Sequence, residues 1–130
     1  MTTRILELPL LTTKITTALN EDWRDALQFP DADNTPIPLA GMAFRGTLRE
    51  TVDGAAYFYL ASSGVPTPTG VPRVDLLVVG DGTVLGIVCP VTRMRSGRAG
   101  TYIFDIRAFA DGVTRRCVNG TATIERGVDR

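Results

Sequence analysis

The chain has 130 residues, 44% of them apolar, and its fourteen basic and fourteen acidic groups cancel. That length fits one domain whose core needs neither disulfide nor metal, and the balanced charge argues against general binding to nucleic acid or anionic membrane. There is no histidine, which removes the usual general base, the Ser-His and Cys-His nucleophile pairs and the commonest zinc ligand.

The start, Met1-Thr-Thr-Arg-Ile-Leu-Glu, does not run on into a long apolar stretch, so no signal peptide is expected. No window approaches the roughly 20 apolar residues of a membrane span. Residues 1–19 form an N-terminal segment that could serve as an arm. Over residues 12–29 two patterns compete. Leu11, Thr13 and Ile15 alternate as a strand would, and Trp23, Leu27 and Phe29 fit a strand interrupted by Asp25. Ile15, Leu19, Trp23 and Ala26 also fit a helix, with Asn20 as a cap. Abundant threonine favours the strand.

Pro30-Asp-Ala-Asp-Asn-Thr-Pro-Ile-Pro38 reads as a polar, Pro-broken loop. Its Asp31-Ala-Asp33-Asn34 begins like a calcium loop, but no bidentate Glu follows at the required spacing. Beyond it, Met42, Phe44 and Leu48 share one face of a strand while Arg45, Thr47 and Arg49 share the other. Ala56, Phe58 and Leu60 then lie opposite Tyr57 and Tyr59. Ser62-Ser-Gly-Val-Pro-Thr-Pro-Thr-Gly-Val-Pro72 cannot enter a central strand and is a stiff connector or an exposed arm. Val74, Leu76 and Val78 form another face, and Thr83-Val-Leu-Gly-Ile-Val-Cys89 is apolar on both sides, like a strand covered on both.

The late run Ala-Gly-Thr-Tyr-Ile-Phe-Asp-Ile-Arg-Ala-Phe-Ala-Asp-Gly, residues 99–112, places Tyr102, Phe104, Ile106 and Ala108 inward and Asp105 with Arg107 outward. Tyr102 suits a tyrosine-corner role, its hydroxyl bonded to backbone near the preceding turn. Ala122 and Ile124 alternate with Thr121, Thr123 and Glu125. Four dipeptides, Asp53-Gly54, Asp81-Gly82, Asp111-Gly112 and Asn119-Gly120, read as hairpin turns between strands. Asn119-Gly-Thr121 is a formal glycosylation acceptor that reads more simply as one of these turns. Together these signals predict an all-β, antiparallel sandwich of seven to nine strands with long Pro-rich loops, occupying residues 1–130 as a single domain.

Cys89 and Cys117 are each expected as buried free thiols. No catalytic, cofactor-binding or metal-binding residue is assigned, because the acids fall mostly in turns or polar loops, and the chain reads as a non-enzyme. Residues 1–65 carry five basic and eight acidic groups, a net of −3, and residues 66–130 nine and six, a net of +3. Such a dipolar surface suits contacts between copies or with a partner. The candidate interface residues are Tyr57 and Tyr59 on an outer strand face, the loop arginines Arg93, Arg95 and Arg98, and the Asp105–Arg107 pair.

The order of segments resembles a group of small phage and prophage virion proteins. It runs Asp22-Trp23-Arg24, Ile37-Pro-Leu-Ala-Gly41, Met42-Ala-Phe-Arg-Gly-Thr-Leu-Arg49, Gly100-Thr-Tyr-Ile-Phe-Asp105, Asp111-Gly-Val-Thr-Arg115, Gly120-Thr-Ala-Thr-Ile124 and Gly127-Val-Asp-Arg130. The pattern is similar to the N-terminal immunoglobulin-like domain of baseplate upper proteins, across about residues 20–130. The resemblance implies a strand at Trp23, no cofactor, other virion proteins as partners, several symmetric copies, and a place in the tail, baseplate or fibre attachment region after synthesis in a bacterial cytoplasm. The chain carries no long helical or fibre-like extension, which points to an adaptor or decoration subunit rather than a receptor binder. Two further readings compete: a carbohydrate- or cell-surface-binding module stacking sugars on Tyr57, Tyr59 and Trp23, and a small carboxylate enzyme centred on Asp105.

Overall fold

The computed structural model describes residues 3–127. Eight strands form: β1 (Leu11–Ala18), β2 (Trp23–Gln28), β3 (Ala43–Arg49), β4 (Ala56–Ser62), β5 (Arg73–Val79), β6 (Val84–Cys89), β7 (Gly100–Ala110) and β8 (Val113–Glu125). A 3₁₀ turn at Ile5–Glu7 and one helical turn, α1 (Val91–Met94), complete the elements. The competition over residues 12–29 is won by strands, at both Ile15 and Trp23.

All eight strands hydrogen-bond into one sheet, in the order β1-β8-β7-β3-β4-β5-β6-β2. This corrects the expectation of an antiparallel, immunoglobulin-like sandwich in two respects. There is one sheet rather than two, and it is mixed: β1 runs parallel to β8, and β4 parallel to β5. The second parallel pair follows from the Pro-rich connector. Parallel neighbours need a crossover rather than a tight turn, and residues 63–72 supply it. The segment turns at Gly64 and Gly70, both at positive φ, and its prolines keep it out of the ladder. Arg73 anchors its base by donating to the carbonyls of Val65 at 2.6 Å and Ser62 at 2.9 Å.

A lone sheet without covering helices can bury a face only by curling on itself. Trp23 on edge strand β2 packs against Phe104 of β7, with ring centroids 6.4 Å apart, although the two strands stand five places apart in the sheet. The result is a strongly curled, nearly closed barrel whose seam lies between the edge strands β1 and β2. Its interior is filled by the alternating residues anticipated from sequence, among them Phe44, Leu48, Phe58, Leu60, Tyr102, Phe104, Ile106, Ala122 and Ile124, all buried. Val78 departs from its expected inward face: it is 40% exposed near the end of β5, where that strand outruns the core. β6 is covered fully on its core face, where Leu85, Ile87 and Cys89 are buried, and partly on the other, where Gly86 is buried and Val84 and Val88 are half-buried.

The turn signals divide. Asp111 and Gly112 both have positive φ, 54° and 76°, the geometry of a two-residue hairpin between β7 and β8. Asp81-Gly82 lies in the short β5–β6 connection, and Asp53-Gly54 in a longer β3–β4 loop. Asn119-Gly120 is not a turn, because β8 runs straight through it. There Gly120 lets β1 approach so closely that a side chain would strike the Thr13 carbonyl.

The N-terminal segment does not project as an arm. Ile5 and Leu8 are buried. Arg4 pairs with Asp31 at 3.0 Å, Thr3 donates through its N–H to Asp111 at 3.2 Å, and Arg115 donates to the Leu8 carbonyl at 2.8 Å. Both cysteines are free and buried. Of the Gly127-Val-Asp-Arg130 motif, residues 128–130 lie outside the described residues.

Candidate interface groove

Strand alternation puts Arg45, Thr47 and Arg49 of β3 and Ile103, Asp105 and Arg107 of β7 on the outer face of the barrel. The register then sets them side by side. Arg45 pairs with Arg107 and Thr47 with Asp105. On the other flank Asp105 pairs with Asn119 and Arg107 with Arg116. That last match depends on an irregularity between Ile106 and Arg107, where the partner shifts from Val118 to Arg116 and skips Cys117. A bulge of this kind re-aims side chains. Here it leaves both Cys117 and Val118 buried while Arg116 joins the exposed row.

The outcome is two adjacent rows across the strands: Arg45, Arg107 and Arg116 in one, and Tyr59, Thr47, Asp105 and Asn119 in the other. Thr47 donates to Asp105 at 3.2 Å and accepts from Arg49 Nε at 3.2 Å. Arg49 also donates to the Gly54 carbonyl, so it is committed to the β3–β4 loop. Arg107 reaches Asp105 only at 3.8 Å, and the Arg45 guanidinium lies 5.8 Å from the centre of the Phe109 ring. The loop after β3 (Val52, Asp53) and the Pro-rich crossover (Pro66, Pro68) rise on either side and turn this face into a groove of about 810 Å³. Four arginines and two carboxylates line it, so it is basic.

Of the residues singled out from sequence, Tyr59, Asp105 and Arg107 meet in this groove. The others do not. Arg93 binds Asp75 at 3.1 Å and the Arg73 carbonyl at 2.8 Å, tying α1 to β5. Arg98 covers the Tyr57 ring at 5.1 Å and donates to its hydroxyl at 3.2 Å, and Tyr57 in turn packs on Tyr102 at 5.5 Å between centroids. Arg95 is exposed in a shallow cleft with Leu19, Asn20 and Arg126. The three loop arginines therefore serve three different places rather than one patch. Trp23 is also no stacking platform, being 1% exposed with its Nε1 donating to Asp25 at 2.7 Å. Arg45, Arg49 and Arg116 are groove residues that sequence reasoning did not select. The outward alternation of β3 was a signal for the first two, but nothing local signalled the bulge that recruits Arg116.

Tyr102 donates its hydroxyl to the Arg98 carbonyl four residues back, as a tyrosine corner would. Burial pushes the Cys89 thiol up to about 11 and the Cys117 thiol up to about 12, so neither is poised as a nucleophile. Among the described residues no group of three or more His, Cys, Asp or Glu side chains could hold a metal ion, and no helix is long and apolar enough to cross a membrane. No protein-family model matches the chain, and no curated protein matches it significantly.

Proposed function

We propose that this chain is a structural component of a bacteriophage particle, an adaptor or decoration subunit of the tail, baseplate or fibre attachment region that acts through protein–protein contacts. The order of segments, from Asp22-Trp23-Arg24 to Gly127-Val-Asp-Arg130, resembles that of small phage virion proteins, and this resemblance supports the virion class. The observation that carries the contact role is the groove on β3, β7 and β8, where Arg45, Arg107 and Arg116 stand exposed on a rigid sheet. Arginine is enriched at protein interfaces, and a groove built on strands holds its side chains more firmly than one built on loops. The single mixed sheet differs from the sandwich that the resemblance implies, so the reading does not rest on shared topology. Mass spectrometry of purified particles tests it. The chain should be found at a stoichiometry of several copies per particle, and its consistent absence from particles made by a host that expresses it would refute the role.

A carbohydrate-binding role is the second reading, and Tyr59 at the edge of the groove is what favours it. Glycan-array binding by the isolated chain, lost on Tyr59→Ala, would place it ahead of the first.

A further inference from the structure

Arg45, Arg107 and Arg116 stand abreast on three neighbouring strands at matched register. Like charges placed directly across a strand pair work against the sheet. The fold relieves them little. Asp105 gives Arg107 a loose contact at 3.8 Å, and among the described residues neither Arg45 nor Arg116 has a carboxylate partner. Meanwhile Arg49, Arg73, Arg93 and Arg98 are all engaged with carbonyls, carboxylates or a ring. Arg24, Arg95 and Arg126 also lack a carboxylate partner among the described residues but lie outside the groove, and Arg45 has the Phe109 ring at 5.8 Å. What sets Arg45, Arg107 and Arg116 apart is that they stand side by side on the groove's floor.

We propose that this arginine row docks an extended acidic segment of a partner protein, its carboxylates bridging Arg45, Arg107 and Arg116. Neighbouring strands lie about 4.8 Å apart, so a carboxylate seated between two of these side chains meets both. Arginine's planar fork suits such two-oxygen contacts. The wall chemistry fits a peptide. Val52 is 77% exposed and Ile103 39% exposed farther along the same groove, beyond the Thr47, Asp105 and Asn119 row, apolar surface against which side chains of an extended strand running along the groove can lie. The Asn119 amide, whose oxygen accepts from Thr12 at 3.0 Å, keeps its Nδ2 hydrogens for a peptide C=O, and the Thr47 oxygen, its hydrogen given to Asp105, can accept one more bond from a peptide N–H.

Other occupants fit less well. Asp53 and Asp105 share the groove and would repel a uniform polyanion such as a nucleic-acid backbone. A sugar needs open aromatic faces, yet Trp23 is buried and Tyr57 is held between Arg98 and Tyr102, which leaves Tyr59 alone. The inference rests on the proposed function only in taking the partner to be a protein.

The test uses the full chain and a short fluorescent peptide of alternating Glu and Val, followed by anisotropy. Saturable binding is expected that weakens as salt rises. It should fall by about tenfold or more in the double variant R107Q/R116Q, and R95Q/R98Q, outside the groove, should keep it. The idea is overturned by no saturable binding, by equal binding of a Gln-for-Glu peptide, by an equal loss in R95Q/R98Q, or by tighter binding of polyphosphate or an acidic oligosaccharide. If R107Q/R116Q melts below the parent, R107K/R116K replaces it. That pair keeps the charge and loses the fork, and it should still bind several-fold more weakly; parent-like binding would overturn the bridging. Peptide binding by a chain absent from particles would refute the virion role alone, and no binding by a chain present in particles would refute the groove alone.

Discussion

The carbonyl of Thr13 occupies the space in which a side chain on Gly120 would begin. Those two residues are register partners in the parallel pair of β1 and β8, and Gly120 has φ of 149°. Gly120→Ala should therefore force the strands apart or strain the backbone. We expect a loss of about 3 kcal/mol or more in chemical unfolding, with early exchange of β1 amides. Parent-like stability would show that β1 can shift to make room.

Arg107 and Arg116 give a second prediction, of opposite sign. Removing one like charge from a facing pair should help the sheet by about 0.5 kcal/mol at low ionic strength. Arg116→Thr should accordingly melt slightly above the parent in dilute buffer, and the gain should shrink in physiological salt because both groups are exposed. A clear loss of stability at low salt would mean that Arg116 has a structural role in the free chain.

The N-terminal segment should loosen in acid. Asp31 is held below the usual carboxylate range first by the Thr35 N–H, then by the Arg4 guanidinium and the Asp33 N–H. Asp111 is held low by the N–H and hydroxyl of Thr3. A carboxyl depressed in the folded state contributes stability that is fully present above its unfolded value, about 4, and is lost as pH falls through the folded value. The melting temperature should drop between about pH 5 and pH 3, and the drop should be smaller in Asp31→Asn/Asp111→Asn. An equal acid slope in that double variant would locate the acid sensitivity elsewhere.

Two probes report the core without substitution. The single tryptophan, Trp23, is 1% exposed, so its emission should be blue-shifted and poorly quenched by acrylamide until the chain unfolds. Burial raises both thiols, so Cys89 and Cys117 should resist alkylation at about pH 8 in the native state and react in denaturant. Rapid native alkylation of Cys117 would mean that the β7–β8 bulge opens readily.

Tyr102→Phe deletes the hydroxyl bond to the Arg98 carbonyl while keeping the ring among Tyr57 and Phe58. A cost of about 1 kcal/mol is expected in chemical unfolding. No measurable change would show that water takes over the carbonyl.

The amino-acid sequence by itself determined most of the strand content and the two faces of β3 and β7. Apolar residues recur at period two from Met42 to Leu48 and from Tyr102 to Ala108, and that periodicity is local. It also determined the hairpin at Asp111-Gly112, since positive φ is a property of the residues in the turn. Only the tertiary structure decided which strands became neighbours. The parallel join of β1 and β8, the curl that brings Trp23 to Phe104, and the register that aligns Arg45, Arg107 and Arg116 arise from contacts between residues far apart in the chain. Asn119-Gly120 marks the boundary between the two. Read locally it is a turn, but the approach of β1, more than a hundred residues earlier in the chain, makes Gly120 the point where two strands touch.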